Sequence, residues 1–334
     1  MPALCSKKQA MNSRQRFQET MHFGRPDRVP YLEEGMREGV IKAWRRQGLP
    51  YDTDLSKLFS YDKREDIEPD LDPRPQFKRW PTGSHDLGKI RRRLNPDDPT
   101  RLPENWPESV QAWKNRDHIL ILWVHQGFFI SMGVDDWQRF SEVIYSLVEN
   151  AHFVHEVMAI QGHLSARLAE RVLREVEVDA AVFMEPIGGN DGPLISPKMY
   201  EEFALSHYEP ALDVLRHHGV GTIIYLTFGN PRILLPSVLK CGFNCLWASE
   251  VNMEAMDYRN IRREFGRDLR LIGGIDLDAI RFGEDAIRRE IEEKVPSLLE
   301  QGGYIPLADG RVREDIPYAN YVCYRRLLEK VTTR

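Results

Sequence analysis

Charged residues that directly follow apolar, β-rich runs are the first sign of chemistry in this sequence. Glu185 follows "AVFM", and Ser249 with Glu250 follow "NCLWA". Asp276 follows "IGGI", and Asp309 follows "IPLA" with Arg311 two residues on. Glu33 and Glu34 end the extended segment "RVPYLEEG", and His125 with Gln126 follow "ILWV". Tyr225, Thr227 and Asn230 surround the end of "TIIYLTF". The set is acidic, with one histidine and a late arginine. Carboxylates converging on one cavity can bind a metal, bind a cationic substrate, or act as acid and base. Glu185 and Glu250 carry most weight, because a charge beside an apolar strand is costly unless solvated or paired. Structural roles stand beside the chemical ones. Asp276 has the position of a helix cap, His125 can be a packed histidine beside Gly127, and of Glu33 and Glu34 at most one points inward on extended backbone.

The elements that must carry these residues alternate regularly after residue 115. Strands "HILILWV", "VDAAVFM", "TIIYLTF", "FNCLWAS", "LRLIGGID" and "GYIPLAD" are each followed by helical sequence. Most are continuous apolar runs, the pattern of a parallel sheet covered by helices. One helix shows Phe153, Val157, Ile160, Leu164, Leu168 and Val172 at steps of three and four. Another starts with Ser196 as cap and Pro197 at its first position. With "RVPYLEEG" as strand one, the count approaches eight. The expected fold is therefore an α/β, TIM-like (β/α)8 barrel, with chemistry at the C-terminal strand ends. Residues 1–28 form an N-terminal arm and helix, and 29–334 a single barrel domain. A Pro- and Trp-rich stretch at about 50–115 reads as an irregular cap or insertion. Trp44, Trp80 and Trp106 in this first part suit either a lid or core packing.

The 334 residues are 42% hydrophobic and 29% charged with a net charge of −5, which disfavours a general nucleic-acid surface. The basic run Lys89–Arg93 reads as a solvated loop or helix face. No apolar stretch approaches the roughly 20 residues of a membrane span. The first residues lack an apolar signal core, so a cytoplasmic location is expected. Cys5, Cys241, Cys245 and Cys323 form no zinc-type spacing. They read as reduced thiols.

Several blocks together resemble the uroporphyrinogen decarboxylase superfamily, which includes cobalamin-linked and coenzyme M methyltransferases. These are "MNSRQRFQETMHFGRPDRVP", "GPLISPKMYEEFALSHYEPALDVLRHHG", "LIGGID" and "GGYIPLADGRVREDIPYANYVCY". The resemblance covers nearly the whole chain from Met11 and implies a distorted (β/α)8 barrel with its cleft at the C-terminal strand ends.

Two site patterns of that superfamily are absent. The decarboxylases have an arginine-rich motif after strand one, where this chain has "YLEEGMREG" and only Arg37. Their Phe-Glu-Ser loop corresponds to Met184-Glu185-Pro186, and their Gly-His-Gly to Ala308-Asp309-Gly310. A porphyrinogen with many carboxylates would meet negative charge here. The zinc methyltransferases have His-x-Cys-Gly at the end of the strand "TIIYLTF". Aligned on Gly229 and Asn230, those ligand positions are Leu226 and Phe228.

What the resemblance then implies is a divergent methyltransferase of the corrinoid-dependent type, one that removes methyl groups from methoxylated or other methylated small molecules. Candidate catalytic residues are Glu185, Glu250 and Asp309. Candidate substrate contacts are Glu34, Arg37, His125, Tyr225, Thr227, Asn230, Asp276 and Arg311. A divalent metal such as zinc would take Glu185, Glu250 and His125. The corrinoid would ride on a separate partner protein, since the chain has no Asp-x-His-x-x-Gly cobalamin motif. A homodimer is a further expected assembly. The alternatives are a non-porphyrin decarboxylase or lyase, using Arg37 or Arg311 to hold a carboxylate, and a catalytically silent ligand-binding barrel.

Overall fold

The computed structural model describes residues 10–333. Cys5 and the start of the N-terminal arm lie outside the described residues. Seven parallel strands form one sheet in sequence order: β1 Arg64–Ile67, β2 Ile119–His125, β3 Ala180–Glu185, β4 Ile223–Gly229, β5 Cys245–Val251, β6 Arg270–Gly273 and β7 Tyr304–Ile305. Helices connect and cover them, among them Ala151–Leu173 with the apolar stripe read from sequence. Ser196 caps the helix Pro197–Tyr200 by accepting the Met199 N–H. The chain continues through a π-helical stretch, Glu201–Leu205, into Ser206–His217.

The pleat sends alternate side chains to opposite faces, and the sheet curls so that each face has its own core. The row Met184, Leu226, Trp247, Ile272 and Ile305 runs across paired positions of adjacent strands. It belongs to an inner cluster with Ile121, Val182 and Ile224. Phe17 and Met21 of helix Ser13–Met21 join this inner cluster. Arg270 anchors that helix by donating to the Met21 carbonyl. Leu122, Phe183, Tyr225 and Leu246 face the other way and pack with the helices.

The first strand corrects the sequence reading. Segment 28–35 is not a sheet strand. It is extended, with a single bridge from Met36 to Val312 beyond β7. On its other side the Tyr31 carbonyl accepts the Asp62 N–H just before β1. It thus spans the gap between the two ends of a seven-stranded sheet. The true first strand, "REDI", lies inside the stretch read as an irregular cap.

That stretch is ordered by buried polar groups. The Arg101 guanidinium is 1% exposed and donates to the carbonyls of Asn95, Asp70, Asp72 and Arg93. One side chain therefore satisfies four carbonyls that no regular ladder would satisfy. Trp44 and Trp106 are buried, so packing explains both. Among the described residues no helix is long and apolar enough to cross a membrane.

Candidate active site

Strand alternation decides which strand-end residues reach the inner mouth. On β5, Cys245 and Trp247 point inward, so Ser249 does too. After β7, Ile305 and Leu307 belong to the inner cluster, and the same period of two carries Asp309 inward. Glu34 meets them from segment 31–37. Its carboxylate accepts the Trp247 Nε1–H at 2.8 Å and the Ser249 Oγ–H at 2.7 Å. Glu33 turns away from the mouth and pairs with Arg325 at 2.6 Å. Burial raises the Glu34 carboxyl above its usual range against those two hydrogen bonds, and the charge of Glu250 adds to the rise.

Asp309 is the most perturbed carboxyl of the mouth. Oδ2 accepts the Val251 N–H at 3.0 Å. Oδ1 is buried and has no hydrogen-bond partner among the described residues. Burial, helped by the charge of Glu34, pushes the carboxyl up to about 7. Gly310 follows with φ +92°, and a Cβ there would lie 2.9 Å from Glu250 Cγ. The turn that presents Asp309 therefore favours glycine.

Glu250 and Arg37 form the rim, with Nη2 and Oε1 2.6 Å apart and both side chains about half exposed. Glu250 has φ +48°, an uncommon backbone conformation for a residue other than glycine. Arg311 is exposed and donates to the Met36 carbonyl, so it braces the segment that carries Arg37.

Strand order alone did not expose two further residues. Arg64 and Asp66 sit on the inner face of β1, with Nη2 donating to Oδ2 at 3.2 Å. The Arg64 guanidinium lies over the Trp247 ring, 5.4 Å from its centroid. Arg64 Nη1, Asp66 Oδ1 and the Nε1 of Trp123 are buried without partners among the described residues. Their sequence signal is weak, because "REDI" has three charged residues in a row with no apolar alternation and lies in Pro-rich surroundings.

Other candidates lie elsewhere. Glu185 is on the helix side of the sheet, paired in register with Thr227, as Phe183 is with Tyr225. Its carboxylate accepts the Phe128 N–H at 2.9 Å and the hydroxyls of Tyr200, at 3.1 Å, and Tyr208. Burial raises it to about 7 despite these bonds. His125 joins the same layer because the β2 register shifts between Trp123 and His125. Its ring lies 4.4 Å from Tyr208, its Nδ1 accepts the Gly127 N–H at 2.9 Å, and burial lowers its pKa to about 3. The expectation that Glu185, His125, Tyr225 and Thr227 face the cleft is thus corrected. They form a polar seam between sheet and helices.

Asp276 caps helix Leu277–Arg281 by accepting the Asp278 N–H. Asn230 anchors a turn, donating its N–H to the Gly189 carbonyl at 2.7 Å. The expected metal trio does not assemble, since Glu250 is at the rim while Glu185 and His125 are behind the sheet. Among the described residues no three His, Cys, Asp or Glu side chains converge as metal ligands. The residues present do not fit the zinc site considered from the sequence. Leu226 is in the inner cluster, and Phe228, two residues on, faces the same side.

A curled parallel sheet with an acidic mouth at its C-terminal strand ends defines a TIM-like α/β protein. Residues 135–307 match the uroporphyrinogen decarboxylase (URO-D) family, and the chain belongs to it. Among solved structures it resembles a methyltransferase from Methanosarcina mazei, with 13% identity and a TM-score of 0.59, over 96% of this chain and 99% of the other. That likeness is one of fold. No curated protein sequence matches the chain.

Proposed function

We propose that this chain is a methyltransferase acting on a methoxylated or similarly methylated small molecule, with the methyl group passing to a corrinoid carried by a separate protein. The observation that carries the reading is Asp309, a buried carboxyl with one unpartnered oxygen at the mouth. An ether oxygen is a poor leaving group unless it receives a proton. A carboxyl held protonated to about pH 7 supplies that proton at neutral pH.

In this reading the carbon–oxygen bond breaks, its electron pair stays on oxygen, and the Asp309 proton moves to that oxygen. The alcohol leaves neutral, and the methyl group passes without its bonding electrons to the acceptor. Asp309 is then reprotonated from solvent. Glu34 acts on Asp309 through its charge, and Trp247 and Ser249 hold Glu34 in place.

The test incubates the purified protein with a corrinoid protein and a panel of methoxylated compounds, following the methylated corrinoid and the demethylated product by mass spectrometry. Methylation that is lost in Asp309→Asn supports the reading. Carbon dioxide release from carboxylated compounds instead would assign the lyase alternative, with Arg37 or Arg311 as the carboxylate holder. Neither product would leave a ligand-binding barrel.

A further inference from the structure

Helix Trp137–Glu149 buries one apolar face and leaves a second one in water. Arg139, Val143 and Leu147 are buried against the rest of the molecule. Trp137, Tyr145 and Val148 are 80%, 66% and 79% exposed. At about 100° per residue, Trp137, Ser141, Ile144, Tyr145 and Val148 share one arc of roughly 100°. The exposed acids Glu142 and Glu149 fall outside that arc, where a solvated helix face would place them within it. Trp137 is also held in place. Its ring meets Phe140 edge-on with centroids 5.6 Å apart, and Phe140 packs on the buried Phe129 at 5.1 Å. A contiguous exposed stripe with a fixed Trp and a Tyr has the composition of an interface centre.

The stripe is complementary to itself. In a twofold pair of such helices, crossing antiparallel at a shallow angle, the axis passes level with Glu142 and Val143. Trp137 of one copy then falls opposite Val148 of the other along the centre line. On one flank Tyr145 falls opposite Ser141, and on the other Phe140 falls opposite Ile144. The largest side chains thus meet smaller ones, and Ser141 leaves room for the Tyr145 ring. Charge does not oppose the contact. Glu142, close to the axis, points away from the stripe and is paired with Arg139 at 3.2 Å and Arg79 at 3.6 Å. On the polar edge Gln138 falls beside Glu149, an amide facing a carboxylate.

We propose that this face is the contact of a twofold dimer, its occupant being a second copy of this chain. Covering Trp137 and Tyr145 takes on the order of 150 Å² each from water. With Phe140, Ile144 and Val148 added, two copies together bury roughly 1,000 Å², the lower bound for a specific interface. A contact of that size gives a reversible dimer with Kd of about 1–100 μM. The inference concerns assembly alone and holds whether or not methyl transfer occurs at the mouth.

Sedimentation velocity of the purified chain, from about 1 to 300 μM, tests it. The parent should pass from monomer to dimer across that range. Trp137→Glu and, separately, Val148→Lys should each weaken association, the first by at least about tenfold. Both positions are exposed in the monomer, so thermal melts of the two variants should match the parent. An equimolar mixture of the variants should associate more tightly than either alone. It brings a carboxylate opposite an ammonium at one contact and keeps the parent Trp–Val contact at the other. A parent that stays monomeric, a dimer unchanged in both folded variants, or a mixture no tighter than the single variants would overturn the proposal.

Discussion

Asp309 lies close enough to Glu34 for the Glu34 charge to add to burial in holding the Asp309 carboxyl protonated up to about pH 7. Glu34 is fixed by Trp247 and Ser249, so the pressure on Asp309 is built into the packing of β5. Replacing Glu34 by Gln keeps the shape and removes the charge. The optimum of any proton-dependent turnover should then shift to lower pH in Glu34→Gln, as read from rate–pH profiles of variant and parent.

The seam behind the sheet makes a prediction about stability. Glu185 is fully buried and its pKa is raised from 4.5 to about 7. Between these values the folded state keeps a proton that the unfolded state releases. Stability from this group is therefore full below about pH 4.5 and lost as pH rises through 7. The linkage is on the order of 3 kcal/mol. His125 has the opposite sign, because burial lowers it from 6.5 to about 3 and costs stability as pH falls through that range. Comparing Glu185→Gln with the parent cancels the histidine contribution. Denaturant unfolding at pH 5 and 8 should show the difference moving in favour of the variant at pH 8.

The rim pair makes a prediction of small size. Arg37 and Glu250 are 48% and 53% exposed, so their ion pair contributes less than about 1 kcal/mol. Glu250 also has φ +48°, which glycine adopts at less cost. Glu250→Gly should lose the pair and relieve the backbone, with a melting temperature close to that of the parent. A large loss in thermal melts would show that Glu250 carries structure the ion pair does not explain.

Gly310 behaves differently. Its φ of +92° and the close approach of Glu250 leave little room for a side chain. Gly310→Ala should destabilise the fold by about 1–2 kcal/mol. It should also displace the adjacent Asp309, lowering turnover more than Glu250→Gly does. Unfolding curves and rates measured on both variants check this.

Strand identity was largely legible in the sequence, and facing was not. The apolar runs that became β2 to β7 were visible because buried parallel strands need no polar alternation. The Ser196 and Asp276 caps were visible because capping is local chemistry. "REDI" is not legible as a strand, because its four mostly polar residues make no apolar run and sit among prolines. Glu185, Tyr225 and Thr227 stand after or near a strand end, which points to the mouth, but position does not say which face a side chain takes. His125 was less legible still, since the register shift before it reverses the face that simple alternation would give. The division of Glu33 and Glu34 between the two sides of one segment could be read from extended geometry, while their partners Arg325 and Trp247 lie more than 200 residues away.

The most direct test of the account is the pH dependence of methyl transfer in the parent and in Asp309→Asn. Once a methyl donor has been found, the parent rate should fall with an apparent pKa near 7 as the Asp309 proton is lost. Asp309→Asn should lower the rate by about 10²-fold or more and abolish that limb. An unchanged rate, or the same alkaline fall in the variant, would contradict the assignment of Asp309 as the acid.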